Sequence, residues 1–387
     1  MTSVEMAITP PILVPFVQPL RTGDEVAALQ AAVDRRRLAG DNPASRSAEA
    51  YLRAALPAEH VLLTPSGTAA LELAALLIDL RPGDEVIMPS FTFSSTANAV
   101  VLRGAIPVFV DVRADTLNID VEQIGPALTE RTRAIMVVHY AGVPCDMDPI
   151  LELAAEAGLA VVEDAAQALH ARYKGRAAGA LADMGAFSFH ETKNIHCGEG
   201  GAFVCRAGAW GRRAEIIREK GTNRAAFFRG EIDKYTWIDV GSSFLPSELS
   251  AAFLAAQLER SREITAQRLA IWSEYHAALG GLQASGDVRT PQIPGDCEHN
   301  AHIYHLRFPS VERRTVVLTG MRGHGVQGTS HYVPLHSAPA GRRYGRWVGD
   351  MTNTDHAGEG LLRLPLWSEM AADEVTRVID AVRKAVA

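Results

Sequence analysis

Ala134-Ile135-Met136-Val137-Val138-His139 is an apolar run with no polar residue before the closing histidine. A strand with one wet face alternates apolar and polar residues, so this run has no wet face. Three more stretches on either side have the same texture. Glu85-Val86-Ile87-Met88-Pro89 is a short strand stopped by a proline, Ile106 to Val112 is a valine-rich one, and Leu159 to Glu163 is a fourth. Helical patterns lie between them. Ala69 to Leu80 is apolar around most of its circumference, and Ile150 to Ala157 is shorter. Strands buried on both faces and alternating with helices predict an α/β fold with a mainly parallel central sheet.

The texture changes near Ser250. Glu248 to Tyr275 predicts one or two long helices, and a Gly- and Pro-rich stretch follows over 280–295. Beyond it come a strand (Ile303 to Phe308) and a helix (Asp373 to Val386). The expectation is a large domain over residues 1–259, with an N-terminal arm, and a smaller α+β domain over 260–387.

Bulk properties narrow the function. The 387 residues are 47 % hydrophobic, enough for a sizeable core and about two domains. The net charge of −7 and the short basic clusters (Arg35-Arg36-Arg37, Arg342-Arg343) argue against a nucleic-acid partner. Four cysteines without a CxxC pair or zinc-like spacing predict reduced thiols and no metal centre. No basic-then-apolar leader opens the chain, and no apolar run reaches membrane-spanning length. A cytoplasmic protein with no membrane partner is expected. No GxGxxG follows an early strand, which argues against a dinucleotide-binding dehydrogenase.

Four features fit one site. Pro65-Ser66-Gly67-Thr68-Ala69 opens a helix, where free N–H groups and the helix dipole favour a phosphate. A plain helix cap has the same appearance. Pro89-Ser90-Phe91-Thr92-Phe93 follows a strand, where Phe93, with Phe91 behind it, is placed to stack on a flat heterocycle. Glu163-Asp164 closes a buried strand, and a carboxylate there needs a cation such as a protonated pyridine nitrogen. Phe187-Ser188-Phe189-His190-Glu191-Thr192-Lys193-Asn194, with glycines beyond, offers an amine able to form a Schiff base with an aldehyde. Each alone also fits an ordinary structural role; in this order, each at a strand end, they point to one cofactor site.

In these stretches the chain resembles the DegT/StrS family of sugar aminotransferases, with the aspartate-aminotransferase fold (fold type I), over nearly its whole length. It is most similar to the dTDP-4-amino-4,6-dideoxygalactose transaminase branch. Further stretches that carry the likeness are Arg218-Glu219-Lys220-Gly221-Thr222-Asn223-Arg224, Phe227-Phe228-Arg229-Gly230 and Asp233 to Ser243. The resemblance implies pyridoxal 5'-phosphate as cofactor. It implies Lys193 as the covalent anchor and catalytic base, Asp164 at the pyridine nitrogen and Gln167 at the ring oxygen. It implies Gly67, Thr68 and Ser188, with Ser66 beside them, at the phosphate, and Phe93 on the ring. Many relatives have Gly-x-Asn-Tyr-Arg where this chain has Gly241-Ser242-Ser243-Phe244-Leu245, so Ser243 stands where an asparagine reaches the phosphate from the partner subunit.

The implied reaction moves an amino group from L-glutamate to carbon 4 of a dTDP-4-keto-6-deoxyhexose, in a homodimer with shared active sites. Carbon 3, or a non-catalytic cofactor-binding regulator, are the alternatives. Lys220 and Arg229 are candidates for the pyrophosphate, and His331 and Tyr332 for the sugar. His190 packs against the cofactor or orients its neighbours.

Overall fold

The structure, a computed structural model, describes residues 11–206 and 209–387; the first ten residues of the expected N-terminal arm lie outside that range. The large sheet contains β1 (His60–Thr64), β2 (Glu85–Pro89), β3 (Ile106–Val110), β4 (Thr132–Val138), β5 (Ala160–Asp164), β6 (Met184–Ser188), β7 (Gly201–Cys205) and β8 (Arg346–Trp347). Their order across the sheet is β1-β7-β6-β5-β4-β2-β3-β8. Every pairing is parallel except the two made by β7, which runs against β1 and β6.

Side-chain alternation along these strands explains the continuous apolar runs. Val86, Met88, Met136 and Val162 face one layer, built on the helix Gly67–Leu77. Ile87, Ile135, Val137 and Val161 face the other, with Ile124, Met147 and Ile150. Both faces are therefore dry, and each buried side chain of this kind contributes about 1.5–3 kcal/mol.

Strand limits differ from expectation by a residue or two, where the backbone leaves the ladder. The expected strand to Val112 stops at Val110, and the helix expected from Ala69 starts at Gly67. Glu248 to Tyr275 is two helices, Glu248–Glu259 and Ser261–Leu279, parted at Arg260.

Glu248–Glu259 packs against Glu25–Asp34 and Pro43–Ala55 beside the large sheet. The C-terminal part packs Ser261–Leu279 with Val311–Gly323 and Ala372–Val386 on a small sheet of His305–Arg307, Leu361–Arg363 and Thr329–Ser330. Tyr275, Tyr304, Leu306, Val317, Met321, Leu362 and Val382 form its core. Two crossings tie it to the rest. Val14, near the start of the chain, sits in this core and bridges to Val326. In return, β8 pairs with β3 as an edge of the large sheet.

The end of β5 decides where the site lies. Adjacent strand residues point to opposite faces. Asp164 is on the face of the Gly67–Leu77 helix, and Glu163 on the other. Glu163 is fully buried and accepts hydrogen bonds from the N–H groups of Gly179, Leu181 and Ala182, each at 2.7 Å. It also contacts His139 Nε2 at 2.8 Å. The Cys145 N–H donates to His139 Nδ1 at 3.1 Å, so the imidazole hydrogen is on Nε2 and points at Glu163. Glu163 thus acts as the anchor of the 179–182 turn and has no place in the chemistry. Glu163→Ala strands three buried N–H donors and is expected to lower unfolding free energy in urea by about 3–5 kcal/mol; a loss under about 1 kcal/mol would contradict this role.

Candidate active site

A cavity of about 560 Å³ opens beyond the carboxyl ends of β2, β5 and β6, where ligands bind in open α/β sheets. It brings together Ser66, Gly67, Thr68, Phe93, Asp164, Gln167, Ser188, Lys193, His331 and Tyr332. Ten residues singled out from the sequence therefore meet at one place.

The floor is Asp164. Its Oδ2 accepts from Thr96 Oγ1 at 2.8 Å and its Oδ1 from the Ala166 N–H at 3.1 Å. Burial holds its carboxyl above the usual carboxylate range, despite Thr96, Ala166 and Lys193, which all pull it down. Lys193 stands in the loop between β6 and β7, held there by its N–H to the His190 carbonyl at 2.9 Å. Burial pushes its ammonium down to about 8; Asp164 opposes the drop and Arg363 adds to it. Desolvation outweighs the attraction between the two groups, and both are drawn toward their neutral forms. An amine tuned in this way is nucleophilic near neutral pH.

The anion end is the start of the Gly67–Leu77 helix. Ser66 caps it, accepting from the Ala69 N–H at 3.1 Å. The N–H groups of Gly67 and Thr68 have no carbonyl one turn back, so they stay available. Thr68 Oγ1 lies 2.7 Å from Ser95 Oγ. Close approach requires the glycine: a Cβ on Gly67 would sit 2.9 Å from the Ser188 Cβ, and one on Gly201 would sit 2.4 Å from the Ser66 carbonyl. Helix start, β6 and β7 thus converge on a cradle that a side chain would fill.

Aromatic rings and polar side chains form the walls. Phe93 is 59 % exposed at the edge of the cavity, and Phe91 is buried behind, packing edge-on against Tyr140 and Tyr332. Gln167 accepts from the Ala141 N–H at 2.7 Å and donates to the Tyr332 hydroxyl at 3.2 Å. His331 Nδ1 is 3.1 Å from the Tyr140 hydroxyl, and burial keeps its imidazole well below the ordinary value. His190 lies at the mouth, 2.9 Å from Thr192 Oγ1 and 3.6 Å from Glu199.

Three expected residues are elsewhere within one chain. Arg229 lines a separate charged cavity and pairs with Glu215 and Glu231, each at 2.8 Å. Lys220 is exposed beside Glu219, and Ser243 bridges to Glu219. Sequence reasoning missed Thr96, His302 and Arg363. Thr96 follows Ser94-Ser95 at a helix start, a signal for polar side chains near a strand end. His302 and Arg363 come from the C-terminal part, and nothing local marks them.

The residues fit pyridoxal phosphate. A dianion suits the cradle. A ring cation suits a buried acid that two donors already hold in place. The aldehyde suits the lowered amine of Lys193.

A model of the DegT/DnrJ/EryC1/StrS aminotransferase family matches residues 20–383. The chain is 34 % identical over 367 residues to dTDP-3-amino-3,4,6-trideoxy-alpha-D-glucose transaminase of Streptomyces venezuelae, covering 94 % of this chain and 92 % of that one. It is 34 % identical over 343 residues to UDP-4-amino-4-deoxy-L-arabinose–oxoglutarate aminotransferase of Shewanella sediminis, covering 85 % and 87 %. The solved structure of DesV from S. venezuelae overlays with a TM-score of 0.88 at 32 % identity, covering 97 % of this chain and 99 % of that one. The chain belongs to the DegT/DnrJ/EryC1/StrS family, as a sugar aminotransferase that depends on pyridoxal phosphate.

Proposed function

We propose that the protein moves an amino group from L-glutamate to carbon 4 of a dTDP-4-keto-6-deoxyhexose, giving a dTDP-4-amino-4,6-dideoxyhexose. The observation that carries this is the pairing, in one buried pocket, of the Lys193 amine with Asp164 and an anion cradle. Carbon 4 rests on the branch resemblance of the sequence and on the 4-amino product in the name of the Shewanella relative. Placement at carbon 3 is the second reading, favoured by the Streptomyces relative.

When bound, pyridoxal phosphate supplies an aldehyde that takes up the amino group and a ring that accepts electrons from the adjoining carbon. The chain does the rest. Ser66, Gly67, Thr68 and Ser188 would hold the phosphate. Asp164 would favour a positive charge at the ring nitrogen, Gln167 would lie by the ring oxygen, and Phe93 would stack on the ring. Lys193 would hold the cofactor through its Nζ. In its neutral form the same Nζ would take a proton from the donor's α-carbon and, in the second half-reaction, give one to the sugar carbon that gains nitrogen. His331 and Tyr332 face the sugar.

The same reading makes the enzyme a homodimer. Trp237 is 77 % exposed, Phe228 65 % and Ile238 53 %, all in the stretch that holds Lys220, Arg229 and Ser243. Apolar side chains of this size call for a cover. A second copy seated there carries Ser243 toward the partner's phosphate and Lys220 and Arg229 toward the pyrophosphate of the partner's substrate.

Purified protein is expected to be yellow, and L-glutamate to bleach the band. Protein that stays colourless after incubation with pyridoxal phosphate would remove the central claim. A panel of dTDP-3-keto and dTDP-4-keto sugars, with NMR of the product, decides the carbon. Lys193→Ala is expected to keep its circular dichroism spectrum and lose turnover by about 10⁴-fold or more; wild-type activity in that variant would take the lysine out of the mechanism. The apoprotein is expected to capture pyridoxal phosphate covalently through neutral Lys193, so the capture rate should rise roughly tenfold per pH unit up to about 8 and then level off. A rate that keeps climbing to pH 10 would show an ordinary lysine.

A further inference from the structure

The helix Ser94–Val101 starts beside the cavity, and its first turn turns its polar side chains away from its own backbone. Phe93 is the cap residue; it makes no side-chain cap and leaves its ring at the cavity edge. Ser95 Oγ lies 2.7 Å from Thr68 Oγ1, at the anion cradle. Thr96 Oγ1 donates to Asp164 Oδ2 at 2.8 Å, at the cavity floor. One turn of helix thus serves the cradle, the ring wall and the buried acid.

Thr92 extends the contact with Asp164 into a chain. Its Oγ1 lies 2.8 Å from Thr96 Oγ1, and both threonines are buried. An ionised Asp164 has no hydrogen to give, so the single Thr96 hydroxyl hydrogen goes to the carboxylate. Thr96 then receives the hydrogen of Thr92. The order Thr92 to Thr96 to Asp164 is the one that a carboxylate demands.

Packing alone would be met by valine, which has the shape of threonine and no buried hydroxyl to satisfy. Helical threonines also tend to turn the hydroxyl back onto the carbonyl four residues earlier. Thr265, Thr315 and Thr376 do so, bonding Ser261, Val311 and Ala372. Thr96 instead reaches a residue 68 positions away in the chain. Asp164 has need of it. Burial disfavours its ionised form, and the Thr96 hydroxyl leads the groups that favour that form, ahead of the Ala166 N–H and Lys193.

We propose that Thr96, backed by Thr92, is a positioning residue that holds Asp164 as a carboxylate acceptor for the cofactor's ring nitrogen. This deepens the reading that puts Asp164 at that nitrogen and rests on it.

The test compares full-length apoprotein of wild type, Thr96→Val, Thr96→Ser and Thr92→Val. Each is titrated between about pH 4 and 8 with pyridoxal phosphate and with its carbocyclic analogue, in which C–H replaces the ring nitrogen. Phosphate, ring oxygen and aldehyde are common to both ligands, so the ratio of dissociation constants isolates the ring nitrogen. Wild type should prefer pyridoxal phosphate and lose that preference where Asp164 takes up a proton. Removing a donor disfavours the carboxylate, so this acid limb should move to higher pH. Thr96→Val should move it up by about one pH unit, a tenfold effect, and Thr92→Val by about half as much. Thr96→Ser should restore it. The other titratable groups that face Asp164, namely Lys193, His139 and Tyr332, are the same in all four proteins.

A threonine with only a structural role would weaken both ligands alike and leave the limb in place. A limb in Thr96→Val within about 0.3 pH unit of wild type therefore overturns the proposal, as does one that Thr96→Ser does not restore. Should Thr96→Val fail to fold, Thr92→Val carries the test, and an unmoved limb there overturns it. If wild type shows no preference at any pH, the reading of Asp164 itself is lost; if wild type shows the limb and Thr96→Val shares it, the role of Thr96 alone is lost.

Discussion

Two neighbouring carboxylates at the end of β5 face opposite sides of the sheet, and the active site is organised around that division. Glu163 is saturated by three backbone N–H groups and an imidazole. It holds the turn that leads into β6, and so sets where Ser188 and the Lys193 loop begin. Asp164 has only two donors in a buried place. A carboxylate so placed favours any ligand that brings positive charge, and pyridoxal phosphate protonated on its ring nitrogen is one. One strand end thus supplies both the rigid support and the unbalanced charge.

Lys193 and Asp164 illustrate how burial, more than attraction, sets reactivity here. Each shift is led by desolvation, and each group is moved toward its uncharged form. For Lys193 this is useful, since only the neutral amine attacks an aldehyde or takes a proton. For Asp164 it is a tension that a protonated ring nitrogen would relieve. Arg363 carries the same kind of tension on the opposite sign, at the other side of the cavity.

Much of this was legible in the sequence because the relevant signals are local. Ala134 to Val138 and Val86 to Met88 show no wet face, and the sheet is dry on both sides as a result. Ser66-Gly67-Thr68 reads as a helix start, and the helix does start at Gly67. The antiparallel course of β7 was not legible, because apolar Ala202-Phe203-Val204 looks alike in either direction. Nor were His302 and Arg363. They reach the cavity through the packing of the C-terminal part, which no local pattern encodes. Lys220, Arg229 and Ser243 were singled out by resemblance, and within a single chain they stand apart from the cavity.

The edge strand β8 has a mechanical consequence. Arg346, which belongs to the C-terminal part in sequence, contacts the fully buried Glu85 at 2.7 Å, on the far margin of the large sheet. Arg131 contacts the same carboxylate. Segment 11–14 makes the reverse journey and docks beside Val326. These two crossings lace the C-terminal part to the large sheet. If the C-terminal body shifts over the cavity, residues 346–347 stay with the large sheet as the pivot. Phe16 and Arg363, whose guanidinium carbon lies 4.7 Å from the Phe16 ring centre, then travel together, and that distance is preserved while the arginine's distance to Lys193 changes.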